Sequence, residues 1–428
     1  MKMLYNFAFM IFGIFYLPYL VATRRYRHGL REKLGFLPDG LKSVCSGSKI
    51  IWIHAVSLGE AKAIGPLVPL LKKSFPYHRL VFSTITNTGY DALRQLTPEK
   101  EAVFYLPFDL SFIVSKVVDI IRPEIFISME AELWPNLIEN VYARGGKLIV
   151  VNGRISPRSY SRHKKAKFFI AGLLRKFSLL LMQSESDARR IKELGAPEDK
   201  VFVTGNLKFD LDFEGIADKR DGLRKKLNLE RQDVLLICGS TGRGEEGVIL
   251  SCFRELKKEY ADLKLLIAPR HIERTAEVER LIAKAGFEPA RFSFLGAGYT
   301  AGMAEPVFIL DTIGELRSMY SAGDIVFVGG SLIKRGGQNP IEPAGLAKPV
   351  VFGRYTYNFQ DVTRMLLENN AGIEVQGKAG LYRAIKSLLD DPEKRNRMGI
   401  NAKLIVDKNS GSSQRTINKF TKRVLLEV

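Results

Sequence analysis

Three short segments in the first half of the chain bring acid and base groups to the ends of apolar runs, where side chains are free to do chemistry. HAVSLGE (54–60) leaves a β-branched run and enters the amphipathic stretch AKAIGPLVPLLKK, so Glu60 stands at a strand-to-helix turn. A carboxylate there can accept a proton from an alcohol, and the positive end of a helix dipole favours its ionised form. The alternative is a carboxylate that only complements the dipole. MEAELWPN (129–136) carries Glu130 and Glu132 at the end of another apolar run. If the strand persists their side chains alternate, and only one faces Glu60; alternatively, one of them caps the next helix while Trp134 packs as core. TGNLKFD (204–210) holds Lys208, a cation suited to stabilising charge on a departing phosphate, or else an ordinary solvated lysine.

The second half carries ICGSTGRGEE (237–246), APRH (268–271), DTIGEL (311–316) and VGGSLIKRGGQNPIEPAG (328–345). Glycines 329, 330, 336 and 337 let backbone N–H groups approach an anion without Cβ obstruction, and Glu342 can accept from ribose hydroxyls. No Walker lysine motif and no GxSxG elbow occurs, which argues against a P-loop NTPase and a serine hydrolase. DLD at 210–212 is a lone acidic pair and the five histidines are scattered, so no metal is expected.

These groups need a scaffold that delivers strand ends to one edge. Apolar runs at 49–55, 79–86, 102–107, 124–130, 147–153, 179–184 and 201–206 alternate with amphipathic stretches, as buried parallel strands do between helices. The polar stretch 207–232 reads as a hinge, and runs at 234–240, 263–269, 307–311, 324–330 and 349–353 follow. The expectation is α/β: two Rossmann-like, doubly wound domains facing a cleft, the architecture called GT-B among glycosyltransferases, with ligands at the carboxyl ends of the strands. The divisions expected are 1–33 (anchor and basic flank), 34–206 (amino domain, acceptor-binding), 207–232 (hinge), 233–402 (carboxyl domain, nucleotide-sugar-binding) and 403–428 (helical tail).

The anchor is the uncharged stretch 3–22, about long enough to span ~30 Å of hydrocarbon as a helix. Arg24, Arg25, Arg27, Arg31 and Lys33 follow it, which by the positive-inside rule puts the body in the cytoplasm; an interfacial helix is the alternative. The net charge of +19 requires an acidic partner, and it concentrates in 154–176, where basic residues mix with Phe168, Phe169 and Ile170 as on a membrane-surface helix. Nucleic acid suits the charge but not the anchor. Cys45, Cys238 and Cys252 form no CxxC pair, so neither a disulfide scaffold nor a zinc site is expected.

Taken together, HAVSLGE, MEAELWPN, GNLKFD, APRH, DTIGEL and GGQNPIEPA, in this order, resemble the 3-deoxy-D-manno-octulosonic acid (Kdo) transferases over nearly the whole chain. The resemblance implies an inverting, metal-independent enzyme that moves Kdo from CMP-Kdo to a lipid A precursor (lipid IVA) at the cytoplasmic face of the inner membrane, in lipopolysaccharide biosynthesis. It implies Glu60 as proton acceptor, with Glu130 and Lys208 assisting the transition state. It also implies that CMP is held by Pro269 and Arg270, by Ile313, Gly314 and Glu315, and by Asn339, Pro340, Ile341 and Glu342. The chain departs from the family at Gln338, often His, and at Gly242 and Arg243; Gln338 can still donate a hydrogen bond and Arg243 can replace a cationic contact, so altered donor contacts are expected before lost activity. Alternatives are a GT-B enzyme with another donor, a nucleotide-sugar epimerase, or an idle membrane protein that binds anionic lipid.

Overall fold

The computed structural model describes residues 5–7, 10–11, 29–97, 99, 102–295 and 305–424. The stretch 3–22, expected as an anchor, lies outside the described residues apart from residues 5–7, 10 and 11; among the described residues no helix is long and apolar enough to cross a membrane. The chain forms two compact units, residues 1–210 with 410–428, and residues 211–409.

The first unit is built on a seven-stranded sheet of order β3-β2-β1-β4-β5-β6-β7, parallel throughout. Its strands are β1 (Lys49–His54), β2 (His78–Thr84), β3 (Val103–Tyr105), β4 (Ile125–Met129), β5 (Lys147–Gly153), β6 (Phe177–Met182) and β7 (Val201–Val203). Helices cover both faces, which is why the middle of each strand is apolar on both sides and polar residues such as His54, Ser83, Thr84 and Asn152 gather toward the carboxyl ends. Ile50 and Trp52 of β1 enter one core cluster while Ile51 and Ile53 enter the other. Trp52 stacks edge-on to Phe126 at 5.1 Å and donates its indole N–H to Ser83 Oγ at 2.8 Å, so its one polar atom is satisfied in the core.

The second unit has a seven-stranded sheet of order β10-β11-β9-β8-β12-β13-β14, again parallel. Its strands are β8 (Val234–Thr241), β9 (Leu263–Pro269), β10 (Glu288–Arg291), β11 (Pro306–Ile309), β12 (Ile325–Val328), β13 (Val350–Gly353) and β14 (Gly372–Val375). In each sheet the chain starts centrally and winds outwards in both directions, so a topological switch point falls between β1 and β4 and another between β8 and β12.

The stretch expected as a hinge is structured. Leu207–Phe209 is a 3-10 turn of the first unit. Arg220–Lys226 is a helix of the second, held by Arg220 and Arg224 on Asp324 at 2.8 and 3.1 Å. The acidic pair at 210–212 is structural too. Asp210 accepts from the backbone N–H groups of Ser412, at 3.0 Å, and Ser413, and so caps the last helix, Ser412–Val424. The helix Pro392–Asn409 belongs to the second unit and the last helix to the first, so the expected tail 403–428 is divided between them.

The last helix seals one face of the first sheet by inserting Ile417 and Phe420 among Leu67, Leu71 and Phe75, with the Phe75 and Phe420 rings 5.0 Å apart. Phe420→Ala is expected to destabilise the first unit by about 3–5 kcal/mol in denaturant unfolding. A loss well under ~1 kcal/mol, the size of a surface change, would mean that the helix does not pack as described.

Candidate active site

At the end of β1 the chain turns through Ala55–Ser57 into the helix Leu58–Ile64. Ser57 caps this helix. Its Oγ accepts from the Glu60 N–H at 3.4 Å, while Glu60 turns back so that its carboxylate accepts from the Val56 N–H and the Ser57 hydroxyl, each at 2.9 Å. Thr84 and Thr86 hold the same loop by donating to the Val56 carbonyl at 3.1 and 3.3 Å. Gly89 permits this approach, since a Cβ there would lie 2.5 Å from Thr84 Oγ1. Glu60 thus reaches back over the start of the helix as in a capping box, but to the N–H of the residue before the cap, and it is only 7% exposed.

Across the switch point β4 stops at Met129, and Glu130 and Ala131 both take left-handed backbone conformations, φ 54° and 62°. Two consecutive non-glycine residues in that region cost about 1–3 kcal/mol each, a strain found chiefly where function sets the geometry. Because the strand ends, the expected alternation of Glu130 and Glu132 does not arise, and both carboxylates act on Glu60. Neither caps the helix Pro135–Ala143. That role falls to Asp109, which accepts from the Asn136 and Leu137 N–H groups at 3.0 and 2.9 Å and from Tyr5 Oη at 2.9 Å. Glu130 instead receives the Lys208 ammonium at 3.1 Å, with both side chains about four-fifths shielded from solvent. Lys208 is therefore not a solvated linker lysine.

Burial, reinforced by the negative charge of Glu130, pushes the Glu60 carboxyl from its ordinary 4.5 to about 7, against the opposing Val56 and Ser57 hydrogen bonds. Burial and Glu130 raise Glu132 as well, while Arg162 opposes. The first unit thus holds a carboxylate poised to exchange a proton near neutrality beside an ion pair.

In the second unit the residues expected at the nucleotide follow the carboxyl ends of β9, β11 and β12. Arg270 leaves β9 with its N–H on the Thr241 carbonyl at 3.0 Å and its side chain exposed. The turn Ile313–Glu315 has Gly314 at φ 88° and Ile313 81% exposed. The segment 339–342 is organised by Asn339, which accepts from Ile341 N–H at 3.0 Å and donates to Glu342 at 3.3 Å. Arg317, just after the Ile313–Glu315 turn, lies 3.9 Å from Glu342 and ties the two segments together.

The glycine loop corrects an expectation. Of its four glycines only Gly330 donates to an anion, and that anion is internal, while Gly329 and Gly337 donate to the Gly239 and Gly330 carbonyls. The fully buried Glu245 carboxylate accepts from the N–H groups of Gly242, Gly330, Ser331 and Leu332 at 2.6–3.0 Å. Gly329 allows the close approach, because a Cβ would meet the Ser240 carbonyl and Thr241 Cα at 2.6 Å. The GEE at 244–246 was the sequence signal for this device. Arg243, exposed beside this device, grips Glu277 with two bonds of 3.0 and 2.7 Å. Among the described residues no group of three His, Cys, Asp or Glu is arranged to hold a metal.

The model of the 3-deoxy-D-manno-octulosonic-acid transferase (kdotransferase) family matches residues 28–211. The chain is 36% identical over 400 residues to the 3-deoxy-D-manno-octulosonic acid transferase of Haemophilus influenzae, covering 93% of this chain and 92% of that protein. The chain belongs to the Kdo transferase family. It is 32% identical to the 3-deoxy-D-manno-octulosonic acid transferase of Chlamydophila psittaci, over 91% of this chain and 89% of that protein. The two-unit fold is similar to that of the UDP-GlcNAc 2-epimerase from Neisseria meningitidis, with a TM-score of 0.56 at 11% identity over 88% of this chain and 99% of that one. That likeness concerns the GT-B-like architecture alone. As a Kdo transferase the chain is a glycosyltransferase, and the epimerase alternative keeps only the shared fold.

If Glu60 must be ionised to act, activity is expected to rise with pH through about 7 and to level off above it. Glu130→Gln removes the neighbouring charge and should move this limb to lower pH, whereas an unmoved limb in the pH profile of kcat would show that Glu130 does not tune Glu60. The same shift has a stability consequence. A carboxyl whose pKa rises on folding stabilises the fold fully below its unfolded value of 4.5, and that contribution is lost as pH rises through about 7. Glu60→Gln should therefore raise the melting temperature above pH 7 by several degrees, for about 3 kcal/mol, and hardly at all near pH 4; an equal change at both pH values would contradict the burial argument.

Proposed function

We propose that the chain transfers Kdo from CMP-Kdo to a hydroxyl of a phosphorylated lipid A precursor, lipid IVA, with inversion and without a metal. The observation that carries this reading is the buried Glu60 carboxyl, raised to about 7, beside the Lys208–Glu130 pair. Glu60 takes the proton of the acceptor hydroxyl as its oxygen attacks the Kdo anomeric carbon. The bond from that carbon to the CMP phosphate oxygen breaks, and its electron pair leaves with CMP. Lys208 and Glu130 form a fixed charge pair that stabilises the charge developing during transfer, and being preorganised it costs no rearrangement as the reaction proceeds. CMP is held by Pro269 and Arg270, by the Ile313–Glu315 turn and by Asn339, Pro340, Ile341 and Glu342, with Glu342 accepting from ribose and Arg270 meeting phosphate or base.

The reading includes docking of the first unit on the cytoplasmic face of the inner membrane. Its support is a basic and aromatic surface: Phe168 is 90% exposed between Lys165, Lys167 and their neighbours, and Lys116 covers the exposed Phe36 ring at 4.2 Å. No comparable observation favours nucleic acid.

The test is incubation of detergent-solubilised protein with CMP-Kdo formed in situ and tetraacylated lipid A precursor, with EDTA added after donor synthesis, reading the lipid by mass spectrometry. Addition of one or more Kdo masses is expected, and Glu60→Ala should lower the rate by about 10²–10⁴-fold while leaving CMP binding intact. Transfer at the parental rate by Glu60→Ala would overturn the role of Glu60, and loss of transfer with EDTA would overturn metal independence.

A further inference from the structure

Lys208 and Glu130 are far apart in sequence, and each is held by one of two adjacent residues of β5. The Glu130 N–H donates to the Val151 carbonyl at 3.1 Å. The next residue, Asn152, accepts the Leu207 N–H on its Oδ1 at 3.0 Å and thereby fixes the turn that carries Lys208. Asn152 is completely buried and sits where the pairing of β5 with β6 shifts register, in a left-handed conformation of φ 57°. Its own carbonyl is held by Gln183 Nε2 at 2.9 Å. Its Nδ2 has no partner among the described residues. Packing alone would not select a buried amide here, since glycine adopts the same backbone without strain. Asparagine combines tolerance of left-handed backbone with a neutral oxygen acceptor.

We propose that Asn152 is a positioning residue for transfer, holding the Leu207–Lys208 backbone so that the Lys208 ammonium meets Glu130. This rests on the reading of Lys208 and Glu130 given under Proposed function. Val151 and Asn152 together set the two members of the pair from a single point of the sheet, so a shift at β5 is passed to both charges. A misplacement of the order of 1 Å in such a group costs about 10²-fold in rate.

The test is a double-mutant cycle on transfer, with Asn152→Gly, Lys208→Ala and the double variant. Asn152→Gly is expected to lower kcat by about 10- to 100-fold with KM for CMP-Kdo unchanged, and to cause no further loss in the Lys208→Ala background. Losses that multiply in the double variant, or a parental kcat in Asn152→Gly, would overturn the proposal while leaving the role of Glu60 standing. Parental transfer by Lys208→Ala would overturn the Lys208 assignment and this proposal together. Asn152→Asp keeps both an acceptor oxygen and tolerance of the left-handed backbone, and it should restore most of the transfer that Asn152→Gly loses. If Asn152→Gly does not fold, a folded Asn152→Asp as impaired as Lys208→Ala overturns the proposal by itself.

Discussion

A carboxyl group withdrawn from water beside a second carboxylate cannot ionise at its ordinary pH unless something compensates it, and this constraint organises the first unit. Glu60 is compensated partly by the Val56 N–H and Ser57 hydroxyl at the start of its own helix. Glu130 is compensated by the Lys208 ammonium. What remains uncompensated is enough to hold Glu60 at about 7, where a carboxyl can both accept and release a proton under physiological conditions. The strained turn at Glu130 and Ala131, the bulge at Asn152 and the short 3-10 turn at Lys208 all serve to put three side chains from distant segments at one switch point.

The second unit meets the complementary problem with an internal anion. A glycine-rich loop with converging N–H groups would be unsatisfied when empty, and the Glu245 carboxylate fills it permanently. The start of the loop that leads to Asn339 and Glu342 is thereby tied to the helix that follows β8. Each unit thus places an acidic residue in the first turn of the helix that follows its central strand, Glu60 after β1 and Glu245 after β8. One is titratable near neutrality and the other is locked by four backbone donors.

Much of this was legible in the chain. All seven strands of the first sheet coincide with apolar runs, because strands covered on both faces keep consecutive residues apolar through their middles. In the second sheet the strands missed were β10 and β14, the two edges, where EPAR and GIEV bury only part of their side chains and read as loop. The residues Glu60, Glu130 and Lys208 were found from chemistry at strand ends. The ion pair of Glu130 with Lys208 was not, since it depends on the left-handed turn that stops β4. Asp109 and Asn152 escaped as individuals because a cap or clamp that acts across tens of residues leaves no local spacing to read, and for Glu245 the local GEE gave the acid but not its partners 85 to 87 residues away. The division of the chain at 210 was obscured for a related reason: Asp210 looks like a linker acid until the last helix arrives to be capped by it.

The most direct measurement is the ionisation of Glu60 itself, followed by carboxyl carbon NMR or difference infrared spectroscopy in the parent protein and in Glu130→Gln. The expected result is a midpoint near 7 in the parent and a lower one in the variant. A midpoint near 4.5 in both would mean that neither burial nor Glu130 governs Glu60, and the account of the site would fail at its centre.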